Sequence, residues 1–199
     1  MNNIIMELLL YIVLAVVFFC IVKILLDRTY LENLEMRLST LTGKMYGVQE
    51  MLPNSDDSVE MIAKLDIFIN QFTRYLDSKY PNDKKVKRLV NRIADTKFEE
   101  SEYEKDVSSY TVNKGEMIKF CVRHKNDDKD HHDFDTLLFV VIHELAHVVS
   151  ITKGHNQEFL ENFKWLLKEA SQSGLYHPQD YSKRPITYCG VRVTNNPML

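Results

Sequence analysis

The pentapeptide His143-Glu144-Leu145-Ala146-His147 constrains this chain more than any other feature. It follows Leu137, Leu138, Val140, Val141 and Ile142, a run apolar enough to form a buried helix. Helical residues at i and i+4 share a face, so the two imidazoles can converge on one metal. Neutral imidazoles suit Zn²⁺, which accepts tetrahedral nitrogen ligands without a strong geometric demand. Glu144 follows the first ligand and can reach a metal-activated water without ligating the metal. Zinc lowers the pKa of that water toward 7, and the carboxylate takes its proton as the water attacks a carbonyl. This is the chemistry of zinc peptidases. The bland alternative is three polar side chains that bond to other core residues.

A catalytic zinc needs a third protein ligand and one open position. Helix propensity falls after His147, at Ser150, Thr152 and Gly154, so the chain can turn. His155 stands directly after that turn, and Asn156 can cap a second helix from Gln157 to about Ser173. His155 is therefore the expected third ligand. Glu158 and Glu161 are the alternatives, with supporting and solvated roles expected for them otherwise. Phe159, Phe163, Leu166 and Leu167 are expected to pack the second helix on the first.

The rest of the chain is two materials joined together. The 199 residues are 45% hydrophobic and 27% charged, but much of the hydrophobicity lies in the first 26 residues. Leu8 to Val22 carries no charge, and Ile4, Ile5, Met6 and Ile24 to Leu26 extend the stretch past Glu7 and Lys23. As a helix, Ile4 to Leu26 spans about 34 Å, which predicts a transmembrane anchor over residues 1–27. Lys23, Arg28, Arg37 and Lys44 all follow it, so the positive-inside rule predicts a single-pass protein with its bulk in the cytoplasm. No Asn-X-Ser/Thr acceptor occurs, and Cys20, Cys121 and Cys189 suggest no bridge pattern. A net charge of −3 argues against a chain that coats nucleic acid.

Leu31, Leu34, Leu38, Leu41, Met45, Val48 and Leu52 alternate spacings of three and four, which predicts a helical stalk or linker over 28–57. Such a seam either packs on the domain or forms a homodimeric coiled coil. Pro53 to Ser58 marks a boundary, and 58–199 is expected to form one domain. Ser58 is the expected cap of an amphipathic helix through Leu76, Pro81 to Arg92 a basic solvated helix face, and Glu99 to Asp106 an acidic loop. Tyr110–Val112 and Met117–Val122 read as strands joined by Lys114-Gly115, and Ile186–Tyr188 with Val191–Val193 as a short hairpin. Between them, Arg123 to His132 reads as a polar loop whose His124, His131 and His132 are surface residues rather than ligands. Asp135 is the expected cap of the first metal helix. Tyr176, Tyr181 and Tyr188 are candidate oxyanion donors, with packing as the plainer role. Cys189 reads as buried, and Arg123 and His177 as ordinary surface and loop residues.

The run HELAHVVSITKGHNQEF resembles the WLM and SprT-like (Spartan-type) metallopeptidases, in which HExxH precedes a short turn and an HGxxF or HNxxF element. SYTVNKGEMIKFCVR, DTLLFVVIHELAH and YSKRPITYCGVRVTNNP are similar to an uncharacterised WLM-like group of large DNA viruses. The resemblance covers about residues 58 to 199. It implies a zincin-like α+β domain, His143, His147 and His155 as zinc ligands, Glu144 as catalytic base, and a protein or peptide substrate. These families are associated with proteolysis of DNA–protein crosslinks. The basic cluster here is too small to carry that substrate over, so nucleic acid is not an expected partner. Two other outcomes stay open: a non-catalytic zinc-binding component of a membrane or virion, and a crosslink-repair protease.

Overall fold

The computed structural model describes residues 2–31, 34–50, 52–104, 107–125 and 130–199. The chain forms two compact units, Met1–Asn33 and Leu34–Leu199. The first is the helix α1, Asn2–Leu31. No helix among the described residues is long and apolar enough to cross a membrane. This overturns the predicted anchor and the single-pass placement built on it. The physical reason is the length of the uncharged run. Leu8 to Val22 spans about 22 Å as a helix, short of a hydrocarbon core of about 30 Å, and Glu7 and Lys23 close it at both ends. The side chains of Ile4, Ile5 and Ile24 to Leu26, which extend the run in sequence, lie outside the described residues.

The second unit is α+β. A five-stranded sheet has the order β1-β2-β3-β5-β4, built from β1 (Leu34–Leu38), β2 (Met45–Gln49), β3 (Lys97–Glu100), β4 (Tyr110–Val112) and β5 (Met117–Phe120). The β1–β2 and β4–β5 pairs are antiparallel, whereas β2–β3 and β3–β5 are parallel. Parallel neighbours need a long crossover, and α2 (Ser55–Lys79) with α3 (Lys84–Ile93) provides it between β2 and β3. The helices α4 (Phe134–Val149) and α5 (Gln157–Gln172) follow, then a separate hairpin of β6 (Ile186–Tyr188) and β7 (Val191–Val193).

Four expectations fail here. The segment expected as a helical stalk holds the β1–β2 hairpin at the sheet edge, so Leu34 to Val48 does not form the expected helical seam. Gly43, at φ +68, lies in the turn between the strands, and Gly47 lies inside β2, where a Cβ would meet the Glu99 side chain at 3.3 Å. The acidic segment holds a strand rather than only a loop, because Phe98 and Glu100 point into the core and pair along β5. Cys121 and Cys189 are disulfide-bonded across 68 residues, against the reading of the cysteines as unbridged. Arg123 is also no surface residue. It is buried, and its Nε donates to Glu100 Oε1 at 2.8 Å while a terminal nitrogen donates to the Pro53 carbonyl.

Other signals are met with a shift of register. α2 starts at Ser55 behind Asn54 in the left-handed region, three residues before the expected cap. α4 is capped by Asp133, whose carboxylate accepts from Asp135 N at 3.0 Å and Thr136 N at 3.2 Å, two residues before the expected cap. Asn156 caps α5 as expected, accepting from Phe159 N at 3.1 Å. The 110–120 hairpin turns at Asn113, Lys114 and Gly115, all with positive φ. Gly115 is required there, since at φ +114 a Cβ would lie 3.2 Å from Val148 of α4. The core gathers the inner faces of α2, α4 and α5 with Phe98, Ile118 and Phe120 of the sheet. In α5, Phe159, Phe163, Leu166 and Leu167 are buried, at about 1.5–3 kcal/mol each, which suffices to hold an otherwise polar helix on α4.

Candidate metal centre

α4 carries His143 and His147 one helical turn apart, on the face toward α5 and the following turn. His155 folds back from that turn, beside the start of α5. Its Nε2 lies 3.1 Å from Nε2 of His143 and 3.1 Å from Nε2 of His147. The three ligand atoms all fall within 4.8 Å of one another. Tetrahedral Zn²⁺ with bonds of about 2.05 Å has ligand–ligand edges of about 3.3 Å, so the donor set fits such an ion in chemistry and spacing. Burial, with the neighbouring histidines adding to it, holds the His143 imidazole down at about 3 and that of His147 at about 4. Both rings are therefore neutral at physiological pH, the form that ligates.

Phe159 of α5 is the wall against which the three rings stand. Its centroid lies 4.8 Å from His143, 4.3 Å from His147 and 4.7 Å from His155. The turn is tied by Glu158, whose carboxylate accepts from Ile151 N at 2.8 Å, from Thr152 N at 2.9 Å and from the Thr152 hydroxyl. Those bonds hold Glu158 down at about 2, so it remains a carboxylate that fixes the turn and does not join the histidine group. Glu161 is exposed and accepts from Gln157 Nε2 at 2.9 Å.

The end of α4 is clamped by cations. Arg92 donates to the Val148 carbonyl, Arg88 to the Val149 carbonyl at 2.5 Å, and Lys114 Nζ to the His147 carbonyl at 3.3 Å. These are the unsatisfied C-terminal carbonyls that a helix leaves open, where positive charge is favoured. Two arginines of the expected solvated basic face thus bond the end of the helix that carries His143 and His147.

Glu144 is buried behind the histidines. The Thr111 hydroxyl of β4 donates to its Oε2 at 2.8 Å. Burial pushes the carboxyl up to about 7, and the Thr111 bond works against that shift. A cleft of about 460 Å³ opens over the group, lined by His143, Glu144, His147 and His155 together with Thr111 and Lys153. β4 borders it, and among the described residues this edge strand pairs only with β5. None of Tyr176, Tyr181 and Tyr188 lines the cleft. Tyr188 is buried with its hydroxyl 2.5 Å from Ser109 Oγ, Tyr181 packs on Phe139, and the tyrosine at the cleft is Tyr110. Sequence reading passed over Tyr110, Thr111 and Lys114 because a short strand gives no sign of which helix it will border.

Residues 98–197 match the WLM domain. The chain belongs to the WLM family. An uncharacterised protein of Acanthamoeba polyphaga mimivirus is 30% identical over 183 residues, 90% of this chain and 89% of that one. Uncharacterised proteins of Invertebrate iridescent viruses 6 and 3 are 39% identical over 87 residues and 42% over 74, spanning 43% and 37% of this WLM chain and 46% and 45% of their own. Among solved structures, Wss1 from Saccharomyces cerevisiae is similar with a TM-score of 0.47 at 22% identity, over 64% of this chain and 90% of that one. The mimivirus match spans nearly the whole WLM protein, including the β1–β2 hairpin outside the matched domain.

Proposed function

We propose that this WLM protein is a zinc-dependent peptidase. The observation that carries the reading is the convergence of three imidazole Nε2 atoms beside a buried glutamate, inside a cleft bordered by β4, which pairs only with β5 among the described residues. His143, His147 and His155 would hold the zinc. Bound there, zinc supplies a Lewis acid that lowers the pKa of water toward 7 and polarises a carbonyl. Glu144 is the general base. Thr111 occupies Oε2, which leaves Oε1 as the oxygen that takes and returns the proton. The free edge of β4 offers main-chain donors and acceptors to an extended segment, which favours a peptide over a compact small molecule. The accessible cleft counts against a purely structural zinc. Arg88 and Arg92 are engaged by carbonyls of α4, which weakens the case for a DNA-associated repair protease.

Glu144→Gln tests the reading. It removes the base while leaving all three nitrogens in place. Zinc content should stay at the wild-type level while peptide hydrolysis falls by about 10²–10⁴-fold. Unchanged turnover in that variant would refute the role.

A further inference from the structure

A second cluster of ligating side chains lies where the end of β5, the approach to α4 and the β6–β7 turn meet. Cys121 Sγ, His132 Nε2 and Cys189 Sγ all lie within 4.8 Å of one another, and all three residues are buried. His132 Nε2 is 3.2 Å from Cys189 Sγ. The ring also bonds the backbone of Arg123, which assigns its proton to the other nitrogen and leaves Nε2 as the lone pair facing sulfur. The His124 ring lies tilted against His132, with centroids 3.8 Å apart. The backbone is built to hold this arrangement. His132 N donates to Val122 O at 2.9 Å, His124 N to Asp130 O at 2.7 Å, and Cys189 sits at φ 45 before Gly190 at φ 84, the tight turn that presents the thiol.

A disulfide alone accounts for the two sulfurs but gives no reason for a desolvated imidazole whose bare nitrogen points at one of them. Thiolates and imidazole nitrogen are the donors of structural zinc sites. The Cys121 and Cys189 Cα atoms are 6.4 Å apart, which leaves room for the sulfur–sulfur edge of about 3.8 Å that Zn–S bonds of about 2.3 Å require. The geometry points to a second, structural zinc site formed by Cys121, His132 and Cys189, which replaces the disulfide when the protein is reduced. A dithiol reductant converts the bridge to two thiols and is itself oxidised to a disulfide. Zn²⁺ then binds the two sulfurs as thiolates with release of two protons. Either linkage ties the β6–β7 turn to β5. It thereby holds Tyr188 on Ser109, a residue that lines the cleft. The clasp survives in reducing compartments, where a disulfide does not persist.

The test uses the full-length protein, treated with a dithiol and loaded with Co²⁺. A near-ultraviolet thiolate-to-cobalt charge-transfer band is expected, because the three-histidine centre contains no sulfur. The band should persist in His143→Ala, so failure of the peptidase reading leaves this site standing. It should vanish in Cys189→Ser and weaken in His132→Ala, a change to which a plain disulfide is indifferent. A measurement on the unaltered chain avoids dependence on variants. With Zn²⁺ present, Cys121 and Cys189 of the reduced protein should resist alkylation and become reactive when a chelator is added, while the exposed Cys20 reacts throughout. A folded, reduced chain with both thiols free and no such band overturns the proposal. So does a bridge that resists the dithiol in the folded protein.

Discussion

Thr111 shows how one hydroxyl conditions the centre. It makes the hydrogen bond described for Glu144, whose carboxyl sits at the edge of an apolar helix interior. A hydrogen bond to a charged acceptor contributes about 1.5–3 kcal/mol net, and its loss also frees the carboxylate to rotate. Thr111→Val keeps the shape and removes the donor. The expected result is a fall in kcat/KM of about 10–100-fold, following from that energy, with metal content unchanged. Wild-type kcat/KM in the valine variant would show that packing alone orients Glu144. Neither Thr111 nor its role is visible in sequence. The histidine spacing and Asn156 are, because a helical period and a cap depend on neighbours along the chain, whereas the Thr111 contact depends on how β4 meets α4.

At the scale of elements, the site is made by two helices and the turn that joins them. The turn gives His155 its position, and Glu158 closes that turn with three bonds to Ile151 and Thr152. Glu158→Gln can keep at most part of that set, since its amide nitrogen cannot accept from a backbone N–H. The His155 ring then loses its fixed approach to His143 and His147. Zinc affinity should fall by about 10–100-fold, the usual effect of removing a residue that supports a ligand, while the urea midpoint changes little because the turn is exposed. Competition with a chromophoric chelator measures it, and an unaltered zinc affinity would assign the positioning to Phe159 alone. Elements were read unevenly in the sequence for a physical reason. α4, α5 and the two hairpins from 110 and 186 declare themselves through local periodicity and turn residues. β1, β2 and β3 do not, because Leu34, Leu38, Met45 and Val48 satisfy a helical spacing as well as a strand's. The antiparallel pairing of β1 with β2 and the parallel pairing of β2 and β5 with β3, the latter made through residues far along the chain, decide between them.

For the whole molecule, the question is how the β1–β2 hairpin is bound to the rest of the unit. Arg37 bonds the exposed Asp56, and the Lys44 amine and Tyr46 hydroxyl both bond the buried Asp66 of α2. The densest link is Glu60 of α2. Its carboxylate accepts from the Ser39 hydroxyl at 2.7 Å, from Thr40 N at 2.6 Å and from the Thr40 hydroxyl at 2.7 Å. The Thr40 hydroxyl bond, followed by those from Ser39 and the backbone, holds the carboxyl down at about 2 against an ordinary value of 4.5. A folded-state value below the unfolded one means that the contribution to stability is complete above about pH 4.5 and is lost as pH falls toward 2. Glu60→Gln removes the charge and with it this dependence. The variant should unfold at lower urea than the wild type at pH 6, and the gap between the two midpoints should close steadily from pH 4.5 to pH 2.5. The group is exposed, so added salt should narrow the gap at pH 6 as well. A hairpin that merely rests beside the domain gives coincident midpoints at every pH, whereas one that unfolds with the sheet carries the Glu60 titration into the global transition.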